Sequence, residues 1–192
     1  EISKGFTLGA EYRNNNNFQL STLVYHNTFS NLIKDYAIEP GLLSYRNIER
    51  AYFTGFEIIS KWAINSKLSS SFTFNYVKNE DENSEQIPNT IPLSIGGRLS
   101  YSPGNQKLLY ALNFKGTGKY NPQEFDPTSG DYKSSDISVK SFLIIDAQII
   151  YNITPSYRVI FGTKNIGNHT NQAYGRYIGR TAYVELNTNY ER

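Results

Sequence analysis

The 192-residue sequence contains no cysteine. It forms no disulfide and offers no thiolate to a metal. It also lacks any run of about 18 apolar residues, the length that a membrane-crossing helix needs. That absence excludes a transmembrane helix but not a membrane, because a β-barrel crosses with short alternating segments. Charge of one sign is missing too: 19 basic and 17 acidic residues leave a formal +2. No basic tract of the kind that holds nucleic acid is present, so no nucleic-acid partner is expected. The two histidines, His26 and His169, lie on separate segments, which is not metal-site spacing. There is no G-x-S-x-G and no usefully spaced carboxylate pair, so neither an enzyme nor a bound cofactor is expected. The sequence opens at Glu1 inside a stretch that already reads as strand, with no initiator methionine and no signal peptide, and it reads as a fragment or processed piece.

What the chain does have is aromatic residues. They make up 15% of a sequence that is only 39% hydrophobic, with 16 Tyr and 11 Phe. That balance suits a β protein in which each strand hides one face and tyrosine marks interfaces. The stretch from Asn47 to Trp62 shows the pattern. After Gly55, Phe56, Ile58, Ser60 and Trp62 fall on one face, and Glu57, Ile59, Lys61 and Ala63 on the other. A sandwich would turn the first face into a core; a membrane barrel would turn it to lipid.

The same alternation recurs along the chain. Strands are predicted at Ser3–Arg13, Phe18–Phe29, Asn47–Trp62, Leu68–Tyr76, Pro92–Ser102, Leu108–Lys115, Ser141–Asn152, Tyr157–Asn165 and Gly179–Tyr190. Short turns fall at 14–17, 65–67, 103–106 and 153–156. Long loops alternate with them: Ser30–Tyr45 with the turn signal Glu39-Pro40-Gly41, Lys78–Thr90, Gly116–Lys140 and Ile166–Ile178. Strands of about 9–12 residues approach the span of a tilted membrane strand. Short turns at one rim and long loops at the other are the outer-membrane barrel layout. Phe18, Trp62, Leu68, Tyr101, Tyr151 and Tyr157 flank the short turns, where an aromatic girdle would lie. The predicted fold is therefore all-β: an antiparallel transmembrane β-barrel segment of about nine long strands. A tyrosine-rich soluble sandwich is the competing architecture.

Several motifs then resemble the C-terminal part of a TonB-dependent outer-membrane receptor. Asn47-x-x-x-Ala51-x-x-x-Gly55-x-Glu57 is similar to a strand of that family. Lys164-Asn165-Ile166 resembles the end of a late strand, and Gly179-Arg180-Thr181-Ala182-Tyr183 the entry to the last one. Tyr190 matches the terminal aromatic, and Glu1-Ile2-Ser3 the tail of the segment before a barrel strand. Two departures stand out: Glu191 and Arg192 follow the aromatic, and Thr7 occupies a position where the family often has glutamate.

The resemblance implies that residues 1–192 are the last nine strands of a 22-stranded barrel in a Gram-negative outer membrane. The partners implied are the rest of the receptor, meaning plug and earlier strands, then TonB acting through the plug, outer-membrane lipid, and a small-molecule or oligomeric nutrient. The function implied is uptake of a siderophore, other metal chelate, haem or cobalamin with energy from TonB. A glycan- or peptide-importing barrel in a larger complex and a TonB-independent channel are the alternatives.

Within that frame Phe56, Ile58, Phe72, Phe74, Ile95, Leu99, Leu112, Ile145, Ile149, Val184 and Leu186 are expected to face lipid. Glu57, Arg98, Lys115, Asp146 and Glu185 are expected to face the lumen and plug, with Glu57 paired to a plug arginine. Gly55 marks either a bulge or a close approach of the plug backbone. Candidate ligand contacts lie on the long loops: Tyr120, Phe125, Asp126 and Tyr132, then Tyr174, Arg176 and Tyr177. The first of these loops is either a ligand contact or a shield for the mouth. His169 is either a polar loop residue or a haem ligand.

Overall fold

The computed structural model describes residues 1–14, 17–39, 42–87, 90–104, 107–126, 128, 131–171 and 179–188. Every described regular element is a strand: β1 (Ile2–Asn14), β2 (Phe18–Glu39), β3 (Leu42–Ala63), β4 (Leu68–Asp81), β5 (Leu93–Tyr101), β6 (Leu108–Thr117), β7 (Gln123–Asp126), β8 (Asp131–Ser134), β9 (Phe142–Asn152), β10 (Tyr157–Lys164) and β11 (Thr181–Thr188). Nine of them form one antiparallel sheet in the order β1-β2-β3-β4-β5-β6-β9-β10-β11. The sheet is a meander, each strand paired with its neighbour in sequence apart from the inserted β7–β8 hairpin. Among the described residues β1 pairs only with β2, and β11 only with β10.

The short turns are built by their own side chains. Asn65 Oδ1 accepts from the backbone N–H groups of Lys67 and Leu68, each at 2.9 Å. Thr154 Oγ1 accepts from those of Ser156 at 3.2 Å and Tyr157 at 3.1 Å. Asn and Thr do this readily, which is why they punctuate strands.

Register sorts the side chains cleanly. Ile58 stands opposite Phe74 and Phe74 opposite Ile95; Phe72 stands opposite Gly97, Gly97 opposite Phe114, and Phe114 opposite Ile145. All eleven apolar residues assigned to one face in the sequence share it. Glu57, Arg98, Lys115, Asp146 and Glu185 share the other. The apolar face is the exposed one: Leu8 is 64% exposed, Val184 69% and Leu186 64%. Along β9, Leu143, Ile145, Ile149 and Tyr151 are exposed while Asp146, Gln148 and Asn152 are half-buried. The sheet thus shelters its polar face and offers its apolar face outward, the reverse of a protein with its own core. The buried apolar side chains among the described residues are only Ala51, Ala111, Val139 and Ile160.

Rings pair across strands on the outward face. Phe18 meets Trp62 edge-on at 6.2 Å beside the short turns, and Tyr101 stacks with Tyr110 at 6.3 Å on the same rim. Such pairs are the unit of stabilisation in a sheet. In β4 the outward face is apolar apart from Ser70, from Leu68 to Tyr76. Eight residue steps at ~3.3 Å each make about 26 Å of strand. Beyond Tyr76 the outward face turns polar: His26, Thr54 and Lys78 form one cross-strand row, and Lys78 Nζ pairs with Glu80 at 2.5 Å.

Three expectations about boundaries are corrected. The loop predicted at Ser30–Tyr45 is instead strand: β2 and β3 stay paired from Ser30–Arg50 up to Glu39–Leu42, with a register shift between Ala37 and Glu39. The result is a ribbon of two 22-residue strands. Asn31, with φ 56, is a left-handed residue inside β2 that interrupts the pairing without ending it. The Lys78–Thr90 loop begins later, because β4 continues to Asp81. There Asp81 Oδ1 accepts from the N–H groups of Asn83 and Glu85 and starts the turn. The Gly116–Lys140 loop is largely structured, with Tyr120 bridging to Val139 and β7 pairing with β8.

Of the two readings of Gly55, the bulge is also corrected. Pairing runs unbroken through it, from Tyr25 on β2 to Val77 on β4, so there is no bulge. Its missing side chain leaves room for a ring on the polar face: a Cβ there would lie 2.1 Å from Tyr25 Cζ. The ring tip can swing away, so Gly55→Ala is expected to cost about 1 kcal/mol or less, at or below the low end of overpacking penalties. Denaturant unfolding of the assembled receptor measures it; a cost above twice that means the ring is locked in place.

Candidate functional site

The half-buried polar face and the long-loop rim carry the polar groups. A single cross-sheet row on that face runs Arg13, Gln19, Lys61, Ser71, Arg98, Asn113, Asp146. Arg98 Nε donates to Ser100 Oγ at 3.0 Å, and its Nη1 to Asn113 Oδ1 at 3.3 Å. Arg13 pairs with Glu11, and Gln19 Nε2 donates to the same carboxylate at 3.1 Å. Glu57 lies higher, half-buried between Leu23 and Asn75. Lys115 lies between Gly96 and Ile144 and is exposed, as is Glu185 opposite Ile160.

Asp146 has a local task that its sequence position does not reveal. Its Oδ1 accepts the backbone N–H of Asn165 at 2.7 Å, just past the end of β10. Asn165, left-handed at φ 53, in turn holds the next loop: its side chain donates to the His169 carbonyl at 2.7 Å and accepts the His169 N–H at 2.9 Å. His169 stacks flat on Phe142 at 4.4 Å. Asn168 Oδ1 accepts the Arg180 N–H at 2.8 Å, and Arg180 Nε donates to the Ile166 carbonyl at 3.0 Å. The β10–β11 connection is therefore pinned at both ends. Asp146→Ala removes the carboxylate that accepts the buried Asn165 N–H and is expected to cost about 1–3 kcal/mol. Amide exchange of residues 165–171 should rise in this variant and not in Lys115→Ala.

The other loop is held differently. Ser135 is buried, its N–H donating to the Pro122 carbonyl at 2.8 Å, and Val139 and Tyr120 exchange backbone hydrogen bonds at 2.9 and 3.2 Å. Phe125 on β7 stands opposite Tyr132 on β8, and Asp126 Oδ1 accepts the Thr128 N–H at 2.9 Å. β8 also comes alongside β2, which is four positions from β6 in the sheet. That contact is made across the rim rather than along it. Phe125, Asp126 and Tyr132 thus fall on the β7–β8 hairpin, and Tyr120 on the bridge to Val139 at its base. Tyr174, Arg176 and Tyr177 lie outside the described residues.

His26 and His169 do not converge. His26 Nδ1 lies 2.8 Å from Thr54 Oγ1 on the outward face. No group of three or more potential metal ligands gathers among the described residues. Sequence reasoning missed the packing roles of Gln148 and Tyr183: Gln148 Nε2 donates to the Tyr183 hydroxyl at 2.7 Å, and Tyr183 fills the space over Gly162. A glycine opposite a tyrosine in register was the available signal.

The family model described as "TonB dependent receptor-like, beta-barrel" matches residues 1–166. No curated protein matches. Among solved structures, a ferric enterobactin receptor from Pseudomonas aeruginosa is similar with a TM-score of 0.77 at 17% identity, over 97% of this chain and 31% of that one. A siderophore receptor from Acinetobacter baumannii gives 0.78 at 15% identity, over 97% and 31%. A copper transporter gives 0.78 at 13% identity, over 98% and 31%. The chain spans about a third of the length of these structures.

Proposed function

This chain belongs to the TonB-dependent receptor β-barrel family, and from that premise we propose that it is part of the wall of an outer-membrane receptor that takes up a scarce nutrient with energy from TonB. The family consists of Gram-negative outer-membrane barrels that are transport receptors, not enzymes. The observation that carries the reading is the inverted sheet, apolar outward and polar sheltered, with two unpaired edges for further strands. An outward apolar face of this extent is stable against hydrocarbon and costly against water.

In this reading the polar face lines the lumen, where Glu57, Arg98, Lys115, Asp146 and Glu185 face the plug of the intact receptor. The long-loop rim faces the medium, and Tyr120, Phe125, Asp126 and Tyr132 contact the nutrient, joined by Tyr174, Arg176 and Tyr177. The nutrient class proposed is a siderophore or other metal chelate, in keeping with the names of the similar structures; haem and cobalamin remain within the reading.

The test is growth. A strain deleted for the intact receptor, with or without that receptor re-expressed, is supplied with iron chelates, haem, cobalamin, glycans or peptides in the presence and absence of TonB. Restored growth on one scarce chelate or cofactor, lost when TonB is removed, is the expected result. Growth that survives loss of TonB would establish the channel alternative; growth restored only on glycans or peptides would establish the importer alternative.

A further inference from the structure

On the polar face near the short-turn rim, the sheet forms a recess of about 410 Å³ lined in part by Arg13, Lys61, Arg98, Ser69, Ser71 and Ser100. Among the described residues no carboxylate lines it. Glu11, one row higher, pairs with Arg13. Among the described residues Arg98 bonds to neutral oxygens only, those of Ser100 and Asn113. Lys61 stands between Gln19 and Ser71 in register. Lys61 and Arg98 are two strands apart on one row, about 10 Å at the usual interstrand spacing. Ser71 stands between them on that row, and both long side chains reach a group seated above it.

We propose that this recess is an oxyanion site, taking a carboxylate or phosphate group between Lys61 and Arg98. The guanidinium supplies two parallel donors and the ammonium a mobile one, and charge-assisted bonds of this kind are the strong ones. The serine hydroxyls rotate to donate to whatever oxygen remains. The oxyanion has two possible sources: an acidic side chain of the receptor's own lumen-filling segment, or a free anion passing toward the short-turn rim. Only this question of source rests on the reading of the polar face as a lumen wall.

The experiment uses the intact receptor in detergent micelles at low salt. Inorganic phosphate and citrate are titrated calorimetrically into the wild type and the Lys61→Gln/Arg98→Gln double variant. In a parallel arm, a zero-length carbodiimide joins amines to carboxylates in direct contact, and the coupled peptides are mapped by mass spectrometry. Saturable binding that weakens at least tenfold in the double variant assigns the site to a free anion. Coupling of Lys61 to an Asp or Glu of the receptor, abolished in Lys61→Arg, assigns it to the protein. If the double variant does not assemble, Lys61→Gln alone is titrated against the same threshold of weakening. Neither binding nor coupling in an assembled receptor overturns the site, and a receptor that still restores growth leaves the uptake reading intact.

Discussion

Ile145→Arg is expected to impair assembly of the intact receptor in lipid vesicles, while Gln148→Arg is expected to be tolerated. Ile145 sits outward in mid-strand, exposed and opposite Phe114. A basic side chain at mid-membrane on the lipid face costs roughly 2–4 kcal/mol. The register gives it no escape, since a slip of β9 by one residue would swing Asp146 outward with the rest of that strand's polar set. Gln148 is half-buried on the opposite face, beside Ala111 and Gly162. Its replacement loses the hydrogen bond to Tyr183, worth about 1 kcal/mol, and brings no charge into hydrocarbon. Assembled fractions of the two variants, compared after refolding into vesicles, decide the matter. Equal assembly would mean that β9 has been read inside out, and the membrane placement of the whole sheet would go with it.

Gly97→Ala is expected to destabilise the assembled barrel by about 1–3 kcal/mol, the ordinary range for overpacking a well-filled site. A Cβ at Gly97 would lie 2.5 Å from Phe114 Cζ and 2.7 Å from the Ser71 carbonyl oxygen. The ring could rotate away, but the carbonyl belongs to the β4 backbone alongside β5 and cannot move without disturbing that pairing. Gly55 differs because the close atoms there all belong to one tyrosine ring. The check is the denaturation midpoint of Gly97→Ala alone and combined with Phe114→Ala. If trimming the ring restores full stability, the backbone contact is not the cause.

The inside–outside pattern was legible because it is written at period two over most of the chain. Phe72 and Phe74 against Ser71, Thr73 and Asn75 leave one assignment that keeps charge out of the apolar face. The β2–β3 ribbon was not legible. Leu23, Val24 and Tyr25 blur the alternation, and the turn signal Glu39-Pro40-Gly41 marks the following stretch as a loop. What extends it is pairing between two strands, which a single segment does not display. The Asp146–Asn165 bond was hidden for the same reason: its partners lie 19 residues apart and meet only once β9 and β10 are in register. Glu57 stood out in the sequence among the polar-wall charges, and Arg98 did not. The structure gives Arg98 two hydrogen-bond acceptors and a place beside a recess.

The strict meander also has a kinetic consequence. Because strands that pair are neighbours in sequence, each new pairing closes only a short stretch of chain, and the entropy lost at each step is small and similar. The β7–β8 hairpin makes the β6–β9 step the most distant described pairing, yet still local. Such a sheet grows like a zipper, one hairpin at a time, and contacts of low sequence separation form fast. In a cylinder closed from such a meander, joining the last strand to the first is the step that brings together far-apart segments. That seam, rather than any pairing within these nine strands, is expected to set the pace of assembly.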